Sequence, residues 1–310
     1  MALDSVGNVY FLEAANSVVR MVNKTTGTIT TVAGNGQYAY SGDNGPATNA
    51  SLNYPYGLAF DSTGNMYISD TDNNRIRMVN VSTQNISTVV GTGNGTFGGD
   101  NGPATSAKIN NPTGIAFDIA GNLYITDSFN HRIRMVNAST GNISTIAGNG
   151  SNGYSGDNGL ATDAGISYPY GIALDSVGNV FFSDKKDNRI RMVNASTRII
   201  YTYAGNGNNT YSGDNGPATN ASFSIPEFLN FDTAWNLYIA EENSNCVRMV
   251  NASNKYITTI AGIPNKAGSS GDGGPATAAE LQFASGVVLN SAGDLYIADT
   301  KNGRIRIVYF

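Results

Sequence analysis

Apolar residues in this chain fall in short runs separated by polar turns, and the whole pattern recurs with a constant period. In the second copy, 57–61 is an apolar run, Ser62-Thr63-Gly64-Asn65 a turn, 66–69 a second run and 70–74 a polar loop. Residues 75–79 then alternate, 80–84 turn, and 86–90 make a fourth run before Gly91. Period-two alternation bounded by Gly, Asn, Asp and Ser predicts four short antiparallel strands joined by hairpins. Aligned on the Arg of Arg-Met-Val, the copies fall at Arg20, Arg77, Arg134, Arg191 and Arg248, 57 residues apart, and at Arg306 after 58. The Asp that opens Asp-x-x-Gly-Asn keeps the same period at Asp4, Asp61, Asp118, Asp175 and Asp232, with Asn290 in the sixth copy.

A lone four-stranded sheet leaves both faces uncovered, and radial repetition of such sheets covers them. Six copies therefore predict an all-β, six-bladed β-propeller with four-stranded antiparallel blades, one domain over 1–310 with repeats near 1–57, 58–114, 115–171, 172–228, 229–286 and 287–310. Met1-Ala2-Leu3-Asp4 aligns with 58–61, inside a first strand, and Phe310 follows a third strand. The sixth blade is thus expected to lack its outer strand. Excision from a longer protein is the favoured expectation; the alternative is an outside segment that completes the edge, since an unpaired strand edge is a template for pairing.

Three motifs, Pro-x-Gly-hydrophobic-Ala-hydrophobic-Asp at 55–61, Gly-Asn-x-Tyr-Ile-x-Asp at 64–70 and Asn-Arg-Ile-Arg at 74–77, resemble those of the NHL-repeat family, and the resemblance covers the whole chain. An insert of the Gly-Asp-Gly-Gly-Pro-Ala-Thr type occurs five times, centred on Asp43, Asp100, Asp157, Asp214 and Asp272. This long form is similar to repeats of secreted bacterial proteins and of teneurin-type cell-surface receptors. The resemblance implies an NHL-type propeller. It leaves the activity open, because that family includes scaffolds, RNA-binding proteins and some lyases, and a fold does not name a function.

Each insert links the fourth strand of one blade to the first of the next. Pro46 followed by Ala47, Thr48, Ala50 and Leu52 suits a single helical turn opened by proline. In a propeller these inserts and the loops between second and third strands emerge at one end, which makes that end loop-rich and suited to binding. The other end receives only the turns at 61–65 and 80–84.

Composition narrows the chemistry. With 13% charged residues and 37 Gly the chain is neither disordered nor helical, and a net charge of -5 with pI near 4.8 argues against nucleic acid. No apolar run approaches the ~20 residues that span a bilayer, so no membrane insertion is expected. Cys246 is the only cysteine and His131 the only histidine, so neither a disulfide nor a cysteine- or histidine-built metal centre can be assembled. No nucleophile, base and orienting acid come forward together, and no cofactor is expected.

Acidic residues close each second strand at Glu13, Asp70, Asp127, Asp184, Glu241 and Asp299, where capping of loop N–H groups or pairing with the strand arginines is the expected role. The insert aspartates form a second acidic set. With Tyr40, Tyr154, Tyr211 and Trp235, they are the candidate binding surface, and Tyr38, Tyr54, Tyr56, Tyr168 and Tyr170 add rigid amphipathic area. Blade five departs most from its siblings, with Glu227-Phe228 for Tyr-Gly, Trp235 for a turn glycine, Glu241-Glu242, and Cys246 for Arg. Among twelve Asn-x-Ser/Thr sites, Asn23, Asn80, Asn137, Asn194 and Asn251 share one register in the turn between the third and fourth strands, with Asn85 and Asn142 nearby as further glycosylation candidates.

These features point to a noncatalytic extracellular or cell-surface scaffold. It would bind protein or glycan through the loop-rich face or an exposed blade edge, and could form a homo-oligomer or filament through the open edge of the last blade. The alternative is a propeller lyase or hydrolase that combines an axial cation with carboxylate chemistry.

Overall fold

The computed structural model describes all residues 1–310. They form two compact units, Met1–Gly150 and Ser151–Phe310, with three blades in each. In the first unit the blades are β1 (Ala2–Leu3), β2 (Val9–Glu13), β3 (Val18–Val22) and β4 (Ile29–Ala33); β5 (Leu58–Phe60), β6 (Met66–Asp70), β7 (Arg75–Val79) and β8 (Ile86–Val90); and β9 (Pro112–Phe117), β10 (Leu123–Asp127), β11 (Arg132–Val136) and β12 (Ile143–Ala147). The second unit begins with β13 (Pro169–Leu174), β14 (Val180–Asp184), β15 (Arg189–Val193) and β16 (Ile200–Ala204). Its next blade holds β17 (Gly216–Pro217), β18 (Pro226–Phe231), β19 (Leu237–Glu241), β20 (Cys246–Val250) and β21 (Tyr256–Ala261). The last holds β22 (Ala284–Leu289), β23 (Leu295–Asp299) and β24 (Arg304–Val308).

Sequential neighbours pair antiparallel in every blade, so the fold is a six-bladed β-propeller whose sixth sheet has three strands, in agreement with the repeat arithmetic. In the fifth blade the two residues of β17 belong to the preceding insert and pair with β21. There is no α-helix, and no helix is long and apolar enough to cross a membrane.

The inserts explain their own pattern. Pro46 opens a 3₁₀ turn at Ala47–Asn49, and the turn delivers Ala47, Ala50 and Leu52, all buried, into the core between the first two blades with Val19, Ile68, Val79 and Ile86. Ala104, Ala107 and Ile109 repeat this between the next pair. In the second unit Ala218, Ala221 and Phe223 do the same. Each such side chain contributes about 1.5–3 kcal/mol when fully buried, apart from the smaller alanines. Aromatic edges reinforce the packing of blade on blade: Tyr10 meets Phe60, and Tyr67 meets Phe117, at 4.8 Å and 72° in both cases, while Phe181 meets Phe231 at 5.0 Å.

At the sparse end, Asp61 accepts the N–H groups of Thr63 and Asn65, and Asn65 Oδ1 accepts the Val81 N–H, which ties the two short turns together. Trp235 sits where the other blades have glycine, with φ +64, its exposed ring 5.7 Å from Phe231. Asn80 Oδ1 accepts from Ser82 and Thr83, and Asn137, Asn194 and Asn251 repeat this turn-building bond. Asn85 and Asn142 bridge by their backbones to Pro46 and Pro103 of the inserts.

Candidate functional site

At the loop-rich end each insert is locked by one arginine of a third strand. Arg77 lies on β7 beside a register shift between Ile76 and Arg77, and Arg20, Arg134, Arg191 and Arg248 stand at the same irregularity of their third strands. A bulge turns a side chain out of the regular alternation. Arg77 reaches Asp43 of the insert at 2.7 Å and Asp70 of its own blade at 3.0 Å, and also donates to the Ser41 carbonyl. Arg134 joins Asp100 and Asp127, Arg191 joins Asp157 and Asp184, Arg248 joins Asp214 and Glu241, and Arg306 joins Asp272 and Asp299. Arg20 has only Glu13. The first four insert-clamping arginines are fully buried.

The insert aspartates with Tyr40, Tyr154 and Tyr211 belong to these clamps, whereas Trp235, the remaining candidate for the binding surface, lies apart from them in the short turn after β18 at the sparse end. Asp43 accepts from Tyr40 as well as Arg77, and the Tyr40 ring lies 3.6 Å under the Arg75 guanidinium. Tyr154 and Tyr211 donate to Asp157 and Asp214, and Phe97 takes the place of the tyrosine under Arg132. Asp43, Asp157 and Asp214 have their carboxyls held low: hydrogen bonds and the arginine outweigh the upward push of burial. The inner partners are shifted the other way. Burial pushes Asp127 up to about 6 and Asp184 to about 7 against the pull of their arginines.

The clamp has a consequence one residue further on. Asp70 Oδ1 accepts the Asn53 N–H at 2.7 Å, and the next residue, Tyr54, has φ +44. Asp127 holds Asn110 before Asn111, Asp184 holds Ser167 before Tyr168, Glu241 holds Ser224 before Ile225, and Asp299 holds Gln282 before Phe283. All five following residues have φ between +44 and +58. Such backbone is unfavourable for bulky and β-branched side chains and persists only where its surroundings impose it. Each of these blades thus presents one residue at the loop end from a strained position. In the first unit Tyr54 stacks on the exposed Tyr38 at 5.3 Å and 29°. Ile225 and Phe283 do not stand out in the sequence, although the register of Tyr54 and Tyr168 leads to them.

Blade five adds a different grouping. Lys185, after β14, donates to Glu227 of β18 at 2.5 Å and to Glu242 after β19 at 3.2 Å, and its ammonium lies 4.2 Å from the Tyr170 ring centroid. The sequence singles out both glutamates; the lysine comes to them only through strand packing. Burial raises the Glu227 carboxyl to about 8, Lys185 pulls it down and Glu242 pushes it up again. The ordinary value is 4.5 and the folded one is higher, so the stability this group contributes is full below about 4.5 and is lost as pH rises through about 8. Between those limits the wild-type protein should lose up to about 1.4 kcal/mol per pH unit that Glu227→Gln does not lose. Urea unfolding of both proteins across that range checks this, and parallel profiles would refute it.

No three His, Cys, Asp or Glu side chains gather as a metal site. His131, at φ +55, closes the 3₁₀ turn after β10, as Asn74 and Asn188 do in their blades. Cys246 is buried and its thiol is pushed well up by that burial.

A sequence profile of the NHL repeat matches residues 281–308. NHL repeat-containing protein 2 of Bos taurus is 27% identical over 306 residues, covering 88% of this chain and 42% of that protein. Teneurin-1 of Mus musculus is 27% identical over 293 residues, covering 82% of this chain and 10% of that protein. The chain spans less than half the length of the curated relatives it matches. Among solved structures, an auxiliary nutrient binding protein from Bacteroides thetaiotaomicron aligns with a TM-score of 0.70 at 15% identity, over 99% of this chain and 67% of that one. Virginiamycin B lyase from Staphylococcus aureus aligns with a TM-score of 0.55 at 16% identity, over 100% and 83%. At such identities the likeness is one of fold.

Proposed function

Because this chain belongs to the NHL-repeat β-propeller family, we propose that it is a noncatalytic recognition module that takes a protein or glycan partner on its loop-rich end, outside the cell or at its surface. The observation that carries the reading is the exposed stacked pair Tyr38 and Tyr54: Tyr54 is fixed from behind by the Arg77 clamp through the Asp70 bond to Asn53, and Tyr38 by its hydroxyl, which donates to the Ala15 carbonyl. Rigid exposed aromatics at an ordered loop end give contact area at little entropic cost, which suits recognition of either partner class. The surface location takes its support from the teneurin relative and the nutrient-binding fold neighbour, and the sequons of the short-turn end would carry sugars there.

The test is a screen of the chain against immobilised glycans and extracellular protein fractions, followed by Tyr38→Ala with Tyr54→Ala. Loss of at least about tenfold in affinity, ~1.4 kcal/mol, with an unchanged melting temperature is expected. Undiminished binding by the double variant would sink the assignment of the surface.

One observation favours a second reading. Glu227 is a carboxyl that burial raises to about 8, beside an ammonium and a second carboxylate, the kind of grouping that serves acid–base chemistry. Under this reading Glu227→Gln abolishes a lyase or hydrolase turnover; under the recognition reading it leaves partner binding intact.

A further inference from the structure

In five blades the acid that ends the second strand is met three residues later by a hydrogen-bond donor. Asn16 donates to Glu13, Asn73 to both oxygens of Asp70, Asn130 to both of Asp127, Ser244 to Glu241 and Asn302 to both of Asp299, at 2.8 to 3.0 Å. Asn73, Asn130 and Asn302 also donate to an insert carbonyl 34 positions earlier, at Ala39, Thr96 and Gly268.

Blade four breaks this rule. Its acid is Asp184, fully buried, and the residue three further on is Asp187. The Asp187 Oδ2 atom is buried and has no hydrogen-bond partner. The 3₁₀ turn that carries it, Lys185–Asp187, lacks the closing bond to its first residue that Ser17, Asn74, His131 and Gly303 donate in the corresponding turns. An ionised Asp187 has no hydrogen to give, either to Asp184 or to the insert, and a buried polar atom left in that state is costly. A protonated one has a single O–H, enough to stand in for the asparagine amide toward Asp184.

We infer that Asp184 and Asp187 share one proton, and that this proton is a pH-sensitive latch on the fourth insert. What it holds is visible in the bonds of Asp184. That carboxylate accepts the Ser167 N–H ahead of left-handed Tyr168 and pairs with Arg191, which carries Asp157 and the Ser155 carbonyl. The same insert grips the outer strand of its blade: Asn158 donates to the Ile200 carbonyl, Ala161 to that of Arg198, and Asp157 Oδ2 accepts the Thr202 N–H. Around the pair stand Arg189 and Arg191 of β15, Asp157 of the insert, and Tyr154 with its ring 3.8 Å from the Arg189 guanidinium. Lys185 and Lys186 belong to the turn itself, and Lys185 is engaged by Glu227 and Glu242. Burial raises the Asp184 carboxyl to about 7, the Asp187 charge adds to that push and Arg191 opposes it; burial raises Asp187 as well, against both arginines. With a folded value above the ordinary 3.8, the latch is present in full below about 3.8 and is lost as pH rises through about 7, when the proton leaves to solvent and two carboxylates are left side by side.

Glu227 loses its contribution over an overlapping range, so the test is local: hydrogen exchange of the whole chain, read by mass spectrometry at pH 6 and pH 8 with rates corrected for the intrinsic pH dependence. Opening of 151–168 should become more frequent with pH, by up to about tenfold per unit because one proton is released. The equivalent insert of blade two, 37–54, should not change. Asp187→Asn restores the sibling amide and should abolish the change, and Glu227→Gln should leave it in place. Asn73→Asp builds the same pair in blade two and should make 37–54 pH-sensitive. Equal protection of 151–168 at the two pH values, or a change that survives in Asp187→Asn, would overturn the latch, as would a folded Asn73→Asp protein whose insert stays indifferent to pH.

Discussion

Arg191→Ala should destabilise the second unit by about 3–5 kcal/mol, the usual cost of removing one partner from a buried ion pair, and lower the melting temperature by on the order of 10 °C. Arg191 is fully buried and joins three separate pieces of backbone: Asp157 and the Ser155 carbonyl of the insert, the Gly165 carbonyl beyond its 3₁₀ turn, and Asp184 at the end of β14. Its loss strips charge-assisted bonds from two carboxylates and leaves the volume of a large side chain empty. Asp184 is already pushed up to about 7 by burial, so in the variant it takes up a proton near neutral pH and does not remain charged. Lysine does not rescue, because a point charge cannot serve carboxylates on two sides of a planar fork. Arg198→Ala, at an exposed turn residue, is the control and stays within about 0.5 kcal/mol. Calorimetry of the three variants is the measurement, and a loss under about 1 kcal/mol for Arg191→Ala would show that the clamp does not hold the insert.

Gly171→Ala is expected to cost about 1–3 kcal/mol or to prevent folding of the second unit. A Cβ at this residue of β13 would run into the Glu227 carbonyl oxygen and stand 2.7 Å from Phe228 Cα on β18. Both are backbone atoms of a packed strand, so neither can swing aside. Gly57 is held in the same way against the Thr113 carbonyl. Gly45→Ala, where the nearest such atom is the Gly42 oxygen at 3.4 Å, should change stability by no more than about 0.5 kcal/mol. Equal unfolding midpoints for Gly171→Ala and wild type would mean that the inner strands of neighbouring blades pack less closely than this. Blade five breaks the pattern, with Phe228 in the glycine place and its ring edge-on to Tyr170 at 5.3 Å.

The strand pattern, the blade count and the three-stranded sixth sheet are legible in the chain because each copy reports the same hairpins and errors in one are corrected by the others. The pairing of strand arginines with acids is legible too, since six acids and six arginines share one period. The use made of the insert aspartates is less so: Asp43 is equally suited to a binding surface and to a turn until Arg77 is seen turned toward it by a bulge. The left-handed Tyr54, Ile225 and Phe283 carry no local signal. Their backbone is imposed by a hydrogen bond from the preceding residue to a carboxylate 17 positions further along the chain.

Local periodicity and turn chemistry, then, are enough to give the blades, because hairpin contacts are short in sequence and every residue needed for them lies within one repeat. Which side chains meet across blades is decided by tertiary structure alone. Lys185 with Glu227 and Glu242, and the insert gripping the next blade's outer strand, both join positions tens of residues apart. Such contacts depend on how twisted sheets pack face to face, and that geometry is set by the sum of many side-chain volumes.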